Sequence, residues 1–306
     1  MAVKEYKGIV PPILTPLKPD ETVDKPSLKR LVKHLLDNGV HGIWATGTTG
    51  EFPCIADKER IAAIETIVEA VNGKVPVIAN IGDASTQRCV ELGLAIKNSG
   101  ADAVASTPPY YYPNSQDELL AHFRYIREKV GLPVFIYNIP PTVKVTVNPE
   151  TTVQLAKEGT VVGIKDSSGQ GELWADLVMG IDLAGAKLWR FLGTRARIST
   201  CRGVGAHGAI PSGANLFPAF AVKAWELGEA GKFEEARKYD DLIIKASKVM
   251  SLNKGGCPNS GTLSGMKSAL KIMGIIDNDT VSRPLRPYTE EEKARIPAIL
   301  KEVGLM

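Results

Sequence analysis

The sequence predicts a (β/α)8 barrel of the TIM type with a C-terminal helical appendage. Three observations carry this. Short apolar runs with strand character recur eight times between residues 8 and 213. Longer amphipathic stretches separate them, and such alternation implies parallel strands joined by right-handed crossovers. The eight units occupy about 210 residues, close to the roughly 250 of a typical barrel of this type. A doubly wound open sheet is the competing architecture, but no glycine fingerprint follows the first strand.

The strand-like runs are GIVPPILTP (8–16), HGIWATG (41–47), VPVIANIG (75–82), DAVASTPP (102–109), LPVFIYN (132–138), VVGIKDS (161–167), KLWRFLG (187–193) and GAIPSG (208–213). Helices are expected between them near 24–38, 57–72, 85–99, 115–130, 149–158, 171–184 and 195–204. In the second, Ile61, Ile64, Ile67, Val68 and Val71 share one face. Asp57 is read as its N-cap, with an incomplete capping box because Arg60 stands three later. Asn72-Gly73 ends that helix. Gly203, Gly205 and Gly208 spell GxGxxG. A dinucleotide fingerprint must follow a strand and open a helix. This one precedes the eighth strand and is read as the tight turn entering it. Beyond about residue 230 the strands stop, and 231–250, 264–274 and 289–303 read as helices. The expected division is a catalytic barrel over 1–230 and a helical region over 231–306 packed on it, with no linker between.

Composition narrows the function classes. The 306 residues are 44% hydrophobic and 23% charged, with a net charge of +3. That charge is too mild, and too evenly spread, for a nucleic-acid partner. No apolar core of signal-peptide length opens the chain, and no run of about 18 apolar residues predicts a membrane span. Cys54, Cys89, Cys201 and Cys257 form no CxxC pair, and the four histidines are scattered. No metal site is expected from these spacings. A reduced, cytoplasmic setting is expected.

In a barrel of this type the chemistry sits at the C-terminal ends of the strands. Strand two ends on Gly47-Thr48-Thr49-Gly50-Glu51 and strand four on Pro109-Tyr110-Tyr111-Tyr112. Strand five ends on Tyr137-Asn138, strand six on Lys165 and Ser167, strand seven on Gly193, and strand eight beyond Ile210 on Pro211-Ser212-Gly213. Lysine rarely ends a buried strand without a reason. Loss of solvation there disfavours its charged form and yields an amine nucleophilic toward carbonyls. The alternative is a structural ion pair between Lys165 and a neighbouring carboxylate. Asp166 is adjacent in sequence, but strand alternation points it to the other face. The GTTGE loop offers backbone N–H groups and two hydroxyls suited to a carboxylate, or is an ordinary turn. Tyr137 is a proton donor and acceptor beside the amine, or a barrel-wall aromatic. The triple tyrosine also suits an interface.

GTTGE (47–51), PPYYYP (108–113), YNIP (137–140) and GIKDSSG (163–169) together resemble the dihydrodipicolinate synthase / N-acetylneuraminate lyase family of pyruvate-dependent class I aldolases. The resemblance extends to the C-terminal PLRPYTEEEKARIPAILKEVGL. It implies that Lys165 forms an imine with pyruvate or another 2-oxo acid. It makes Tyr137 the proton shuttle, Thr48 the relay hydroxyl and Thr49 the holder of the carboxylate. Tyr111 matches a tyrosine that reaches into the neighbouring subunit, and Ile210 a backbone position near the keto acid. It further implies a homotetramer, a dimer of dimers, and no cofactor beyond the covalent imine.

The departures concern the substrate. In dihydrodipicolinate synthases the segment after strand five resembles YNVPxRTG, whose arginine binds the second substrate. Thr142 stands at that position, with Lys144 two residues on. Sialic acid lyases carry an acidic pair where this chain has Arg195 and Ala196. Arg195 suits an anionic distal end of a substrate, or a surface ion pair. The leading reading is a Schiff-base lyase, aldolase or dehydratase, acting on a 2-keto-3-deoxy sugar acid or similar 4-hydroxy-2-oxo acid. The alternative is dihydrodipicolinate synthase, condensing pyruvate with aspartate semialdehyde. A non-catalytic keto-acid-binding homologue is the third reading.

Overall fold

The computed structural model describes residues 5–194 and 196–306. Its centre is eight parallel strands: β1 (Gly8–Ile9), β2 (Ile43–Ala45), β3 (Val77–Asn80), β4 (Ala103–Ser106), β5 (Val134–Asn138), β6 (Gly163–Asp166), β7 (Trp189–Leu192) and β8 (Gly208–Ala209). Seven ladders run in sequence from β2 round to β8 and on to β1. The remaining seam is closed by a parallel bridge between Pro12 and Trp44, where Ile13 N donates to Trp44 O at 3.0 Å and Trp44 N to Pro11 O at 3.0 Å. The sheet therefore curls fully on itself, leaving no free edge. The ladders are shorter than the apolar runs, because the run ends leave the sheet to build loops.

Around the sheet lie α1 (Lys25–Asp37), α2 (Asp57–Val71), α3 (Thr86–Ala95), α4 (Gln116–Val130), α5 (Pro140–Val143), α6 (Pro149–Lys157), α7 (Gly171–Leu183) and α8 (Pro218–Glu229). Then follow α9 (Phe233–Ala246), α10 (Pro258–Ile272), α11 (Glu290–Lys293) and α12 (Ile296–Glu302). Three expectations need correction. The helix foreseen over 195–204 is two single 3-10 turns, Ile198–Thr200 and Arg202–Val204. Left-handed Arg197 and Gly205 bracket them and prevent a longer helix. Helix α8, not foreseen, starts on Pro218 at its first turn, where the missing N–H costs nothing. Asp57 is not the cap of α2 but its first helical residue, after Ala56. Its carboxylate instead pairs with Arg88 at 3.1 Å and Arg60 at 3.5 Å. The helix does end on left-handed Asn72, followed by Gly73.

The alternation of strand residues makes two cores. Outward residues such as Val134, Ile136 and Ile164 join the large layer between sheet and helices. Inward residues form a separate cluster within the barrel: Trp44, Ile78, Ala103, Ala105, Phe135, Tyr137, Phe191 and others. Aromatics dominate this interior where branched aliphatics are usual, and small residues opposite make room. A Cβ on Gly163 would lie 2.1 Å from the Phe135 ring. Phe135 packs edge-on against Tyr6 at 5.1 Å and against Trp44 at 6.2 Å between centroids.

Candidate active site

Lys165 is the third residue of β6 and follows Gly163 by two, so it points inward. In the register it stands directly beside Tyr137 of β5 and Phe191 of β7. Its side chain is 4% exposed. The ammonium nitrogen lies 4.0 Å from the centroid of the Tyr137 ring and 5.1 Å from that of Trp44. Among the described residues no carboxylate forms an ion pair with it. The structural-pair explanation of this lysine therefore fails. Asp166 faces the other way, accepting from Asn138 Nδ2 at 2.7 Å and from the Ser168 hydroxyl at 2.8 Å. Burial raises the Asp166 pKa against these hydrogen bonds.

The Tyr137 hydroxyl meets the Thr48 hydroxyl at 3.1 Å. Thr48 belongs to a loop with left-handed backbone at both ends, Thr46 at φ 47° and Glu51 at φ 64°. Such values are costly for a β-branched residue and persist only where surroundings impose them. Here Thr46 and Asn80 exchange hydrogen bonds of 3.1 and 3.0 Å. Glu51 is locked further. It accepts from Ser282 N and Ser282 Oγ, both at 2.7 Å, and ion-pairs with Lys267 of α10. Both members of that pair are fully buried. Gly47 is required by packing, since a Cβ there would lie 2.9 Å from the Trp44 indole. Gly193 is more tightly constrained: its Cβ would lie 1.9 Å from Ser167 Oγ.

A cavity of about 260 Å³ opens at these strand ends. Of the residues singled out in the sequence, Lys165, Tyr137, Thr48, Thr49, Ser167, Gly193 and Ile210 reach it. Gly47 lies behind Thr48 against Trp44. Thr142 is exposed on α5 and does not line it. Lys144 is exposed as well, donating to Pro141 O at 3.0 Å. Neither residue is among those lining the cavity. Tyr111 is 88% exposed, at φ 97°, and packs edge-on against Tyr112 rather than entering the cavity. Arg195 lies outside the described residues. Sequence reasoning missed Asn259, Thr262 and Leu263 of α10, which form the outer wall. Their spacing of three and four is the only local signal, and nothing in it says which face meets the barrel. Among the described residues no three His, Cys, Asp or Glu side chains are grouped to hold a metal ion. No helix among them is long and apolar enough to cross a membrane.

Residues 5–303 match the model of the dihydrodipicolinate synthetase family. The chain belongs to this family. A 4-hydroxy-tetrahydrodipicolinate synthase of Geotalea uraniireducens is 34% identical over 301 residues, covering 98% of this chain and 100% of the relative. One from Methanocaldococcus jannaschii is 32% identical over 302 residues, covering 98% and 100%. Dihydrodipicolinate synthase from Thermotoga maritima superposes with a TM-score of 0.89 at 30% identity, covering 99% and 100%. YagE, an Escherichia coli prophage protein of the same family solved with pyruvate, gives 0.91 at 25% identity, again covering 99% and 100%. Membership of the dihydrodipicolinate synthetase family makes the chain a lyase of the pyruvate-dependent, Schiff-base type.

Proposed function

We propose that Lys165 is the imine-forming residue and that the enzyme cleaves or dehydrates a 2-keto-3-deoxy sugar acid or similar 4-hydroxy-2-oxo acid. One observation carries the assignment: Lys165 and Tyr137 are cross-strand neighbours, and the Tyr137 hydroxyl is 3.1 Å from that of Thr48. The neutral Lys165 amine adds to the C2 carbonyl and water leaves, giving an imine. Thr49 and the backbone of the 47–50 loop hold the substrate carboxylate, with the Ile210 backbone beside it. Tyr137, relayed by Thr48, takes the proton of the C4 hydroxyl as the C3–C4 bond breaks. The electron pair passes into the protonated imine to form an enamine, and an aldehyde departs. Protonation at C3 and hydrolysis then return pyruvate and the free amine. The imine on Lys165 is the only cofactor-like group this route uses.

A second reading is favoured by the names of the relatives, which are 4-hydroxy-tetrahydrodipicolinate synthases. In it the same enamine adds to aspartate semialdehyde. The relatives' names support this more directly than the first reading. The first is supported by the sequence pattern, since Thr142 replaces the arginine of the synthase pattern, and Lys144 does not line the cavity. We also infer a catalytic barrel over 1–230, completed by the helical region 231–306, and a tetrameric assembly in which Tyr111 serves a neighbouring subunit.

Borohydride reduction in the presence of pyruvate, followed by intact-mass measurement, tests the imine. A pyruvyl adduct on the native chain and none on Lys165→Ala is expected. An adduct retained in Lys165→Ala rejects the assignment. Pyruvate release from keto-deoxy acids, set against condensation with aspartate semialdehyde, then separates the two readings.

A further inference from the structure

The outer wall of the cavity comes from α10, a helix outside the strand-and-helix repeat. Asn259, Thr262 and Leu263 lie at spacings of three and four, on one helical face. Leu263 is buried, Thr262 half-buried and Asn259 exposed at the rim. Ser212, after β8, lines the same cavity. Among the described residues the side-chain polar groups of Asn259, Thr262 and Ser212 have no hydrogen-bond partner within the protein. The wall is tied to the GTTGE loop. Lys267, further along the same helix, is fully buried and pairs with Glu51 at the end of the GTTGE loop. It also donates to Thr280 O at 2.7 Å. This contact links α10 to the loop that carries Thr48 and Thr49.

A carboxamide and a hydroxyl each donate and accept hydrogen bonds, whereas a carboxylate only accepts. A mixed donor-and-acceptor set complements groups that do both, and among small metabolite groups those are hydroxyls. Leu263 beneath them offers a carbon surface to the chain that carries them. We propose that Asn259 and Thr262 form a specificity subsite for the hydroxyl-bearing tail, beyond C4, of the 2-oxo acid held at Lys165. This rests on the lyase reading given above.

The test is a pair of substrates. One is a six-carbon 2-keto-3-deoxy sugar acid with hydroxyls at C5 and C6. The other is 4-hydroxy-2-oxopentanoate, which has no hydroxyl beyond C4. Thr262→Val combined with Asn259→Ala is expected to lower kcat/KM for the six-carbon acid about tenfold or more, from the usual worth of a hydrogen bond lost from each residue. The same variant is expected to leave kcat/KM for the short acid, and the borohydride-trapped pyruvate adduct, unchanged. Equal loss on both substrates, or no loss on either, overturns the subsite. It is also overturned if the native enzyme forms the pyruvate adduct yet turns over no hydroxylated 2-oxo acid. Absence of the adduct in the native enzyme marks a different failure, that of the lyase reading beneath it, and removes the subsite with it.

Discussion

Lys165 is tolerated in an apolar strand because alternation on β6 turns it, with Gly163, toward the barrel interior. There its nitrogen lies over the rings of Tyr137 and Trp44, and among the described residues no carboxylate pairs with it. The Tyr137 and Thr48 hydroxyls meet beside it, and in the proposed mechanism they form the proton path. Tyr137→Phe is expected to lower kcat by roughly 10²-fold or more, the usual scale for loss of a general acid–base group. Thr48→Val, which removes only the relay, is expected to lower kcat by a smaller factor. Steady-state kinetics on the six-carbon acid check both, and an unchanged kcat in Tyr137→Phe rejects the shuttle role.

At the scale of elements, the decisive tie is between the loop after β2 and α10. Glu51 and Lys267 are both fully buried, and burial lowers the Lys267 pKa against the pull of Glu51. Removing one partner strands the other charge without solvent. Glu51→Ala is expected to cost about 3–5 kcal/mol of stability, measured by urea unfolding. Glu51→Gln combined with Lys267→Met is expected to recover most of that loss, because no unpaired charge remains. A double variant no more stable than Glu51→Ala would mean that the loop depends on the ion pair itself. Three motifs that line the site, GTTGE, YNIP and GIKDSSG, were legible in the sequence because each is a local strand end. The Asn259–Leu263 wall was not, because its role depends on contacts between segments some 50 residues or more apart.

At the scale of the whole molecule, His122 of α4 joins three elements. Its ring nitrogens meet Thr86 Oγ1 at 2.9 Å and Ser106 Oγ at 3.2 Å. Burial lowers its pKa to about 4. Because the folded value lies below the unfolded one of about 6.5, the unfolded chain binds the proton more readily. This contribution to stability is complete above that unfolded value and is lost as the pH falls toward 4. At pH 5 the loss from His122 is about 2 kcal/mol. His207, half-buried and also lowered to about 4, acts in the same direction. Urea midpoints at pH 7 and pH 5 should therefore diverge, and less so in His122→Gln. Equal divergence in both proteins would remove His122 from the account.

Strand count, parallel order and the inward set Tyr137 and Lys165 could be read from the chain before any packing was known. All follow from a two-residue period and a repeating strand–helix rhythm, which are local properties. The family was legible there too, through motifs set at those strand ends. The rest came from the packed fold. It closed the barrel through Pro12 and Trp44, left Tyr111 on the surface and kept Thr142 and Lys144 out of the cavity. It also broke 198–204 into 3-10 turns and brought α10 across the mouth. The physical reason is common to these cases. A side chain's face and period are written in its neighbours in sequence, but what that face meets is set by packing between distant segments.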